Sequence, residues 1–218
     1  MPAAAIPNPF DKPRLRGVLH QWAFPAFLAA GAILVLEASS AHARIAVTIY
    51  ALSVVALFGT SAMYHRIHWR TQSARRWMPR LDHTMIFVVI AGSYTPFALL
   101  ILRGTLGTVI LVAVWSAALA GAMFKLLWID APSWLIAASY ITTGWVALVA
   151  TPQLLGRLGV VAVGALALGG VLYSTGAMIY ALKRPDPVPT VFGYHEVFHL
   201  LVLIAAALQY AVVALWVL

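Results

Sequence analysis

The sequence predicts an all-α membrane protein: a bundle of seven transmembrane helices with the N-terminus in the cytoplasm and the C-terminus outside. Three observations predict it. Of the 218 residues, 63% are hydrophobic and 9% charged, and the mean hydropathy is +0.92; soluble domains carry about half apolar and about a quarter charged residues. Apolar runs recur along the whole chain at close to the ~20 residues a helix needs to cross a hydrocarbon core about 30 Å thick. Lys and Arg collect in alternate connections between these runs, which orients them.

The runs cover residues 19–38, 44–65, 82–102, 105–125, 133–151, 159–181 and 195–217. In lipid such a segment must satisfy its own backbone, which leaves a helix or a closed barrel, and the absence of period-2 alternation argues against the barrel. The first run carries Pro25 and the fifth is closed by Pro152. Connections are short; the longest internal one, residues 66–81, lies between the second and third runs. Residues 1–18 read as a short cytoplasmic tail, without the compact apolar region and cleavage site of a secretory signal. Residues 19–218 then form a single seven-helix domain. No repeat relates the two halves, which weakens an inverted-repeat transporter reading.

With the N-terminus inside, the cytoplasmic segments hold Lys12, Arg14, Arg16, Arg66, Arg70, Arg75, Arg76, Arg80, Lys125, Lys183 and Arg184. The opposite side holds only Arg44, Arg103 and Arg157. The formal charge of +8 is therefore the positive-inside pattern of a cell-membrane protein rather than the footprint of a nucleic-acid partner. The 66–80 segment is also suited to attracting anionic lipid headgroups. Small residues in the spans (Ala117, Gly121, Gly164, Gly169, Gly170 and Gly176) suit close helix packing in lipid. Trp69, Trp77, Trp128, Trp134 and Trp216 fall near the expected interfaces, as an aromatic belt would. Pro25, Gly92 and Pro96 are expected to kink their helices.

The chemistry lies in the polar residues of these spans, because ionisable groups there are expensive. The last run opens His195-Glu196-Val197-Phe198-His199. Two histidines four apart share one helix face, which suits two imidazoles on one metal ion. The second run ends with Ser61 and His65 at the same spacing, and the third begins with Asp82-His83. The charge-derived topology puts all of these at one level on the cytoplasmic side. Three imidazoles with an open fourth position is the recurrent arrangement of catalytic zinc, which activates a bound water. The chain has no cysteine, so such a site must use His, Asp, Glu and water. His65, His195 and His199 are the expected metal ligands. Asp82 would orient or deprotonate the water, or serve as a fourth ligand, and Ser61 would hold a substrate carbonyl or a neighbouring group. His20, His42, His68 and His83 read as interface or loop residues, and Glu37 as an interfacial carboxylate on the far side. His195-Glu196-x-x-His199 also fits the zincin pattern in which the glutamate is a general base, so an intramembrane metalloprotease is an alternative.

Ser61-x-x-x-His65, the Leu81-Asp82-His83 start followed by Ala91-Gly92-Ser93-Tyr94-Thr95-Pro96, and His195-Glu196-x-Phe198-His199 together resemble the hemolysin III family. This is the bacterial branch of the progestin and adipoQ receptor superfamily. The resemblance covers essentially the whole chain. It implies a seven-helix bundle with zinc near the cytoplasmic face, held by His65, His195 and His199, with Asp82 at the metal's water and Ser61 a turn before the first ligand. It further implies a ceramidase-like amidase chemistry, as attributed to receptor members, and a part in membrane-lipid homeostasis. The first expectation is thus a zinc-dependent lipid (ceramide-like amide or ester) hydrolase or lipid sensor whose partners are membrane lipids. A second is a pore-forming haemolysin or channel, which would need polar residues along a path through the midplane. Those found are few: Ser116, Ser139, Thr142, Thr143, Ser174, Thr175 and Gln209. A third is a structural zinc in a lipid-responsive sensor without turnover.

Overall fold

The computed structural model describes residues 12–128 and 131–218; most of the tail expected over residues 1–18 lies outside them. The described chain is helical. In order it forms α1 (Val18–Glu37), α2 (Ala41–Arg66), α3 (Gln72–Pro96), α4 (Thr105–Leu127), α5 (Ser133–Gly144), α6 (Thr151–Leu182) and α7 (Tyr194–Val212). Wider π-helical turns extend α3 over Phe97–Ile101 and α7 over Val213–Val217, and a 3₁₀ segment, Trp145–Ala150, joins α5 to α6. Among the described residues, six stretches are long and apolar enough to cross a membrane: Val18–Glu37, Ala41–Arg66, Gln72–Ile101, Thr105–Leu127, Ser133–Leu182 and Tyr194–Val217. The chain is a multi-pass membrane protein.

The fifth stretch holds both the fifth and sixth expected runs. At 50 residues it is too long for one crossing, since a helix rises about 1.5 Å per residue. Gly159 breaks it, with φ 78° and ψ 173°. Trp145 Nε1 donates to Ser174 Oγ at 2.9 Å, although those residues would stand about 43 Å apart along one straight helix. The two legs therefore lie side by side. Pro152, expected to close the fifth run, instead sits in the first turn of α6, where its missing N–H breaks no helical bond.

The sequence-based boundary at the start of α3 needs correction. Most of the 66–81 connection is helix, and only five residues, 67–71, separate α2 from α3. Hydropathy misses these ten helical residues because they carry Arg75, Arg76 and Arg80. Thr71 Oγ1 nevertheless accepts Ala74 N at 3.2 Å and caps the helix, and Arg80 lies over the Trp77 ring at 4.9 Å. Ser40 caps α2 in the same way, accepting Ala43 N at 3.1 Å.

The surface is apolar outward, as lipid requires: Leu36 and Leu127 are each 79% exposed and Val160 76%. Inside, Tyr50, Phe58, Phe87, Val47 and Val114 fill the bundle. Several small residues act as expected. Gly121 leaves room for the Phe87 ring, and Gly176 lets α7 approach at Phe198. Gly92, expected as a kink, is a contact point, with Ser53 filling the space a side chain would need. Gly164 is the exception, with nothing within 4 Å of where its Cβ would stand. Pro96 lies where α3 widens into its π-helical turn.

Candidate metal centre

Three helix segments converge. The last turns of α2 carry Ser61 and His65, α3 carries Asp82 about three turns from its start, and the first turns of α7 carry His195 and His199. His195 and His199, one helical turn apart, bring their ring centroids to 4.5 Å. His65 enters from α2, its Nε2 3.1 Å from His195 Nε2. One nitrogen from each of His65, His195 and His199 falls within a set no wider than 4.8 Å. Asp82 Oδ2 stands 3.8 Å from His65 Nε2, beyond hydrogen-bond reach and close enough for one bridging group between them. Ser61 is buried and shares a cavity lining with Asp82 and His199. All five site residues expected from the sequence are thus brought to one place.

The donor set fits a zinc ion. Tetrahedral zinc with Zn–N bonds of about 2.0–2.1 Å holds its ligand nitrogens roughly 3.3–3.4 Å apart, close to the His65–His195 separation. Ser61 Oγ and His199 Nδ1 are buried without a hydrogen-bond partner among the described residues. The protein alone leaves these polar atoms unsatisfied, and buried polar atoms are ordinarily paired.

Two residues stand differently from their sequence reading. Glu196 is 1% exposed, with both carboxylate oxygens engaged. Arg16 Nε donates to Oε1, and Gly193 N donates to Oε2 at 2.9 Å. The second bond caps the first turn of α7 from one side only, the Glu196 carboxylate accepting the Gly193 N–H. His20, set aside as an interface residue, is 2% exposed and stacks on His199 with ring centroids 3.7 Å apart and planes within 7°. The charge pattern puts the start of the first run at the level of the other histidines, but only the packing of α7 shows that His20 meets them. His83 does not join the cluster. Its Nδ1 donates to Pro79 O at 2.7 Å, so Nε2 is left to accept from Tyr180 OH, also at 2.7 Å. His42 bonds Leu99 O near the opposite end of the bundle.

A cavity of about 180 Å³ opens from the site. Its lining follows α3 from Asp82 through Ile86, Ile90 and Tyr94 to Leu102, and reaches Ile110 and Leu154. Twenty residues of helix span about 30 Å, so the cavity extends across the bundle. Its walls are mainly aliphatic and aromatic.

Such a molecule is a polytopic helical membrane protein with a cluster of buried imidazoles at one end of an apolar cavity. The chain belongs to the haemolysin III-related family, whose family model matches residues 9–210. It is 36% identical over 172 residues to the Hemolysin-3 homolog of Bacillus subtilis, covering 78% of this chain and 76% of that protein. It is 34% identical over 189 residues to Hemolysin-3 of Bacillus cereus, covering 85% and 83%. At 26% identity over 176 residues it also matches the human Monocyte to macrophage differentiation factor, covering 79% of this chain and 70% of that protein.

Proposed function

We propose that this chain is a seven-span protein of the cell membrane, N-terminus inside, that holds zinc near the cytoplasmic face and hydrolyses or senses a membrane lipid with an amide or ester link. The reversal of the chain at Gly159 supports seven crossings rather than six, and the excess of Lys and Arg on one side supports the orientation. The observation that carries the reading is the convergence of His65, His195 and His199 at the mouth of a long apolar cavity.

His65, His195 and His199 would hold the metal. When bound, zinc supplies Lewis-acid polarisation of a carbonyl and an activated water. The chain's own residues would do the rest. The carboxylate of Asp82 takes a proton at Oδ2 and can return it to the leaving nitrogen or oxygen. The Ser61 hydroxyl, buried beside Asp82, donates to the substrate carbonyl. The apolar walls beside α3 hold an acyl chain. A lipid fits this geometry because its cleavable bond lies at the junction of a polar head and an apolar tail.

The rival readings have less behind them. A metalloprotease would use Glu196 as its base, but Arg16 and the Gly193 N–H occupy both of its oxygens. A pore needs a polar path, whereas the cavity walls are largely apolar. A purely structural zinc in a lipid sensor remains separable by assay.

The deciding experiment measures metal content and lipid cleavage in detergent-purified protein. Wild type should carry about one zinc per chain, His65→Ala and His195→Ala should carry none, and ceramide-like amides or ester lipids should be cleaved only by the first. Zinc without cleavage would leave the sensor. No zinc in wild type purified without chelator would end the metal reading.

A further inference from the structure

Residues 12–17 precede α1 and carry no ligand of the proposed metal. They are held in place at the same end of the bundle as the histidines. Arg14 N donates to Thr190 O at 3.0 Å and Leu15 N to Val191 O at 3.1 Å, so the segment is laced to the connection that leads into α7. Arg16 then reaches Glu196, 180 residues away in sequence. A carboxylate this deeply buried is tolerable only when its oxygens are satisfied, and charge-assisted bonds are the stronger ones. Gly17 turns the chain into α1 with φ 78°. A Cβ on Gly17 would collide with the Cβ of His65.

The segment therefore grips both helices that carry the imidazoles. It meets α2 where Gly17 backs His65. It meets α7 where Arg16 binds Glu196, the residue next to His195 and three before His199. Neither contact involves a ring nitrogen, so both leave the ligand atoms clear. We infer that residues 12–17 are a clamp that sets the spacing between the α2 ligand and the α7 ligands, with Arg16 as its positioning residue. The inference rests on the zinc reading. Groups outside the first coordination sphere that orient ligands commonly change metal affinity about 10–100-fold when lost.

The test titrates zinc into chelator-stripped, detergent-purified full-length protein, alongside cobalt(II) absorption spectra and the unfolding temperature of the metal-free state. Arg16→Ala, Glu196→Gln and Gly17→Ala should each weaken zinc about 10–100-fold and alter the cobalt bands. Arg16→Lys, which keeps the charge, should recover part of that affinity. Glu196→Gln retains an acceptor for Gly193 N, so it carries the test if Arg16→Ala fails to fold. If the variants lower only the metal-free unfolding temperature and bind zinc as wild type does, the segment is mere scaffolding and the clamp is overturned while the metal site stands. If wild type binds no zinc, both fall together.

Discussion

Asp82 and Ser61 share a cavity wall with His199, yet they should fail differently when changed. Asp82→Asn keeps the shape and removes the base. It should retain zinc and lower lipid cleavage by roughly 10²–10⁴-fold, the usual share of a general acid–base group. Loss of zinc in the same variant would make the carboxylate a ligand instead. His20 offers a sharper test. It meets His199 face to face rather than through a ligand nitrogen, and it stands outside the set of converging donor atoms. His20→Phe preserves a flat ring and should leave about one zinc per chain by metal analysis. A stoichiometric loss would promote His20 to the coordination sphere. At this scale the sequence was informative where spacing spoke: His195 and His199 share a face by period, and Ser61 and His65 do the same. It was silent where only packing speaks. A lone histidine such as His20 looks like any interfacial residue until another helix is laid against it. The engagement of Glu196 by a partner 180 residues away has no local signature at all.

Helix by helix, the informative positions are those where the backbone changes course. Gly159 takes φ 78° with ψ 173°, a region open essentially to glycine alone that costs an L-residue about 1–3 kcal/mol, and the two legs of the Ser133–Leu182 stretch meet through the turn it makes. Gly159→Ala should lose about that much stability in detergent unfolding. Gly164→Ala, on the same helix with nothing within 4 Å of the new methyl, should lose none and serves as the control. Equal behaviour of the two would mean the turn is not set by that residue. The existence of the helices was legible because twenty-residue apolar runs have few alternatives in lipid. Their ends were not. The first ten residues of α3 are too polar for hydropathy to register. The cap at Thr71 is a three-residue signal, easily passed over beside five arginines. The 3₁₀ segment Trp145–Ala150 is held from elsewhere, by Tyr94 OH donating to Gly144 O and accepting Ala147 N.

For the molecule as a whole, the proposed orientation can be read directly because the chain contains no cysteine. Arg70→Cys and Arg103→Cys give single reporters on opposite sides. In intact cells a membrane-impermeant maleimide should label the variant at 103 and spare the one at 70 until the cells are opened. The reverse pattern would invert the topology and carry the metal site to the outer face. The all-helical, multi-pass class and the meeting of His65, Asp82, His195 and His199 at one level were both legible from two global properties, run length and the side on which Lys and Arg fall. The cavity was not, because it arises from how seven faces fail to fill the space between them, and no single segment records that.

The way the site is shared along the chain has a consequence for biosynthesis. His65 and His199 are 134 positions apart (199 − 65). At a translation rate of about 5–20 residues per second, a newly made His65 waits roughly 7–27 seconds for the partners that complete its environment. Until then α2 and α3 carry an imidazole and a carboxylate without the α7 histidines that meet them in the finished fold. A product released early by the ribosome would keep that unmet polarity in the bilayer, where a protease of the membrane could tell it from a finished molecule. The histidine cluster thus closes only after α7 has been made, more than a hundred residues after its first member.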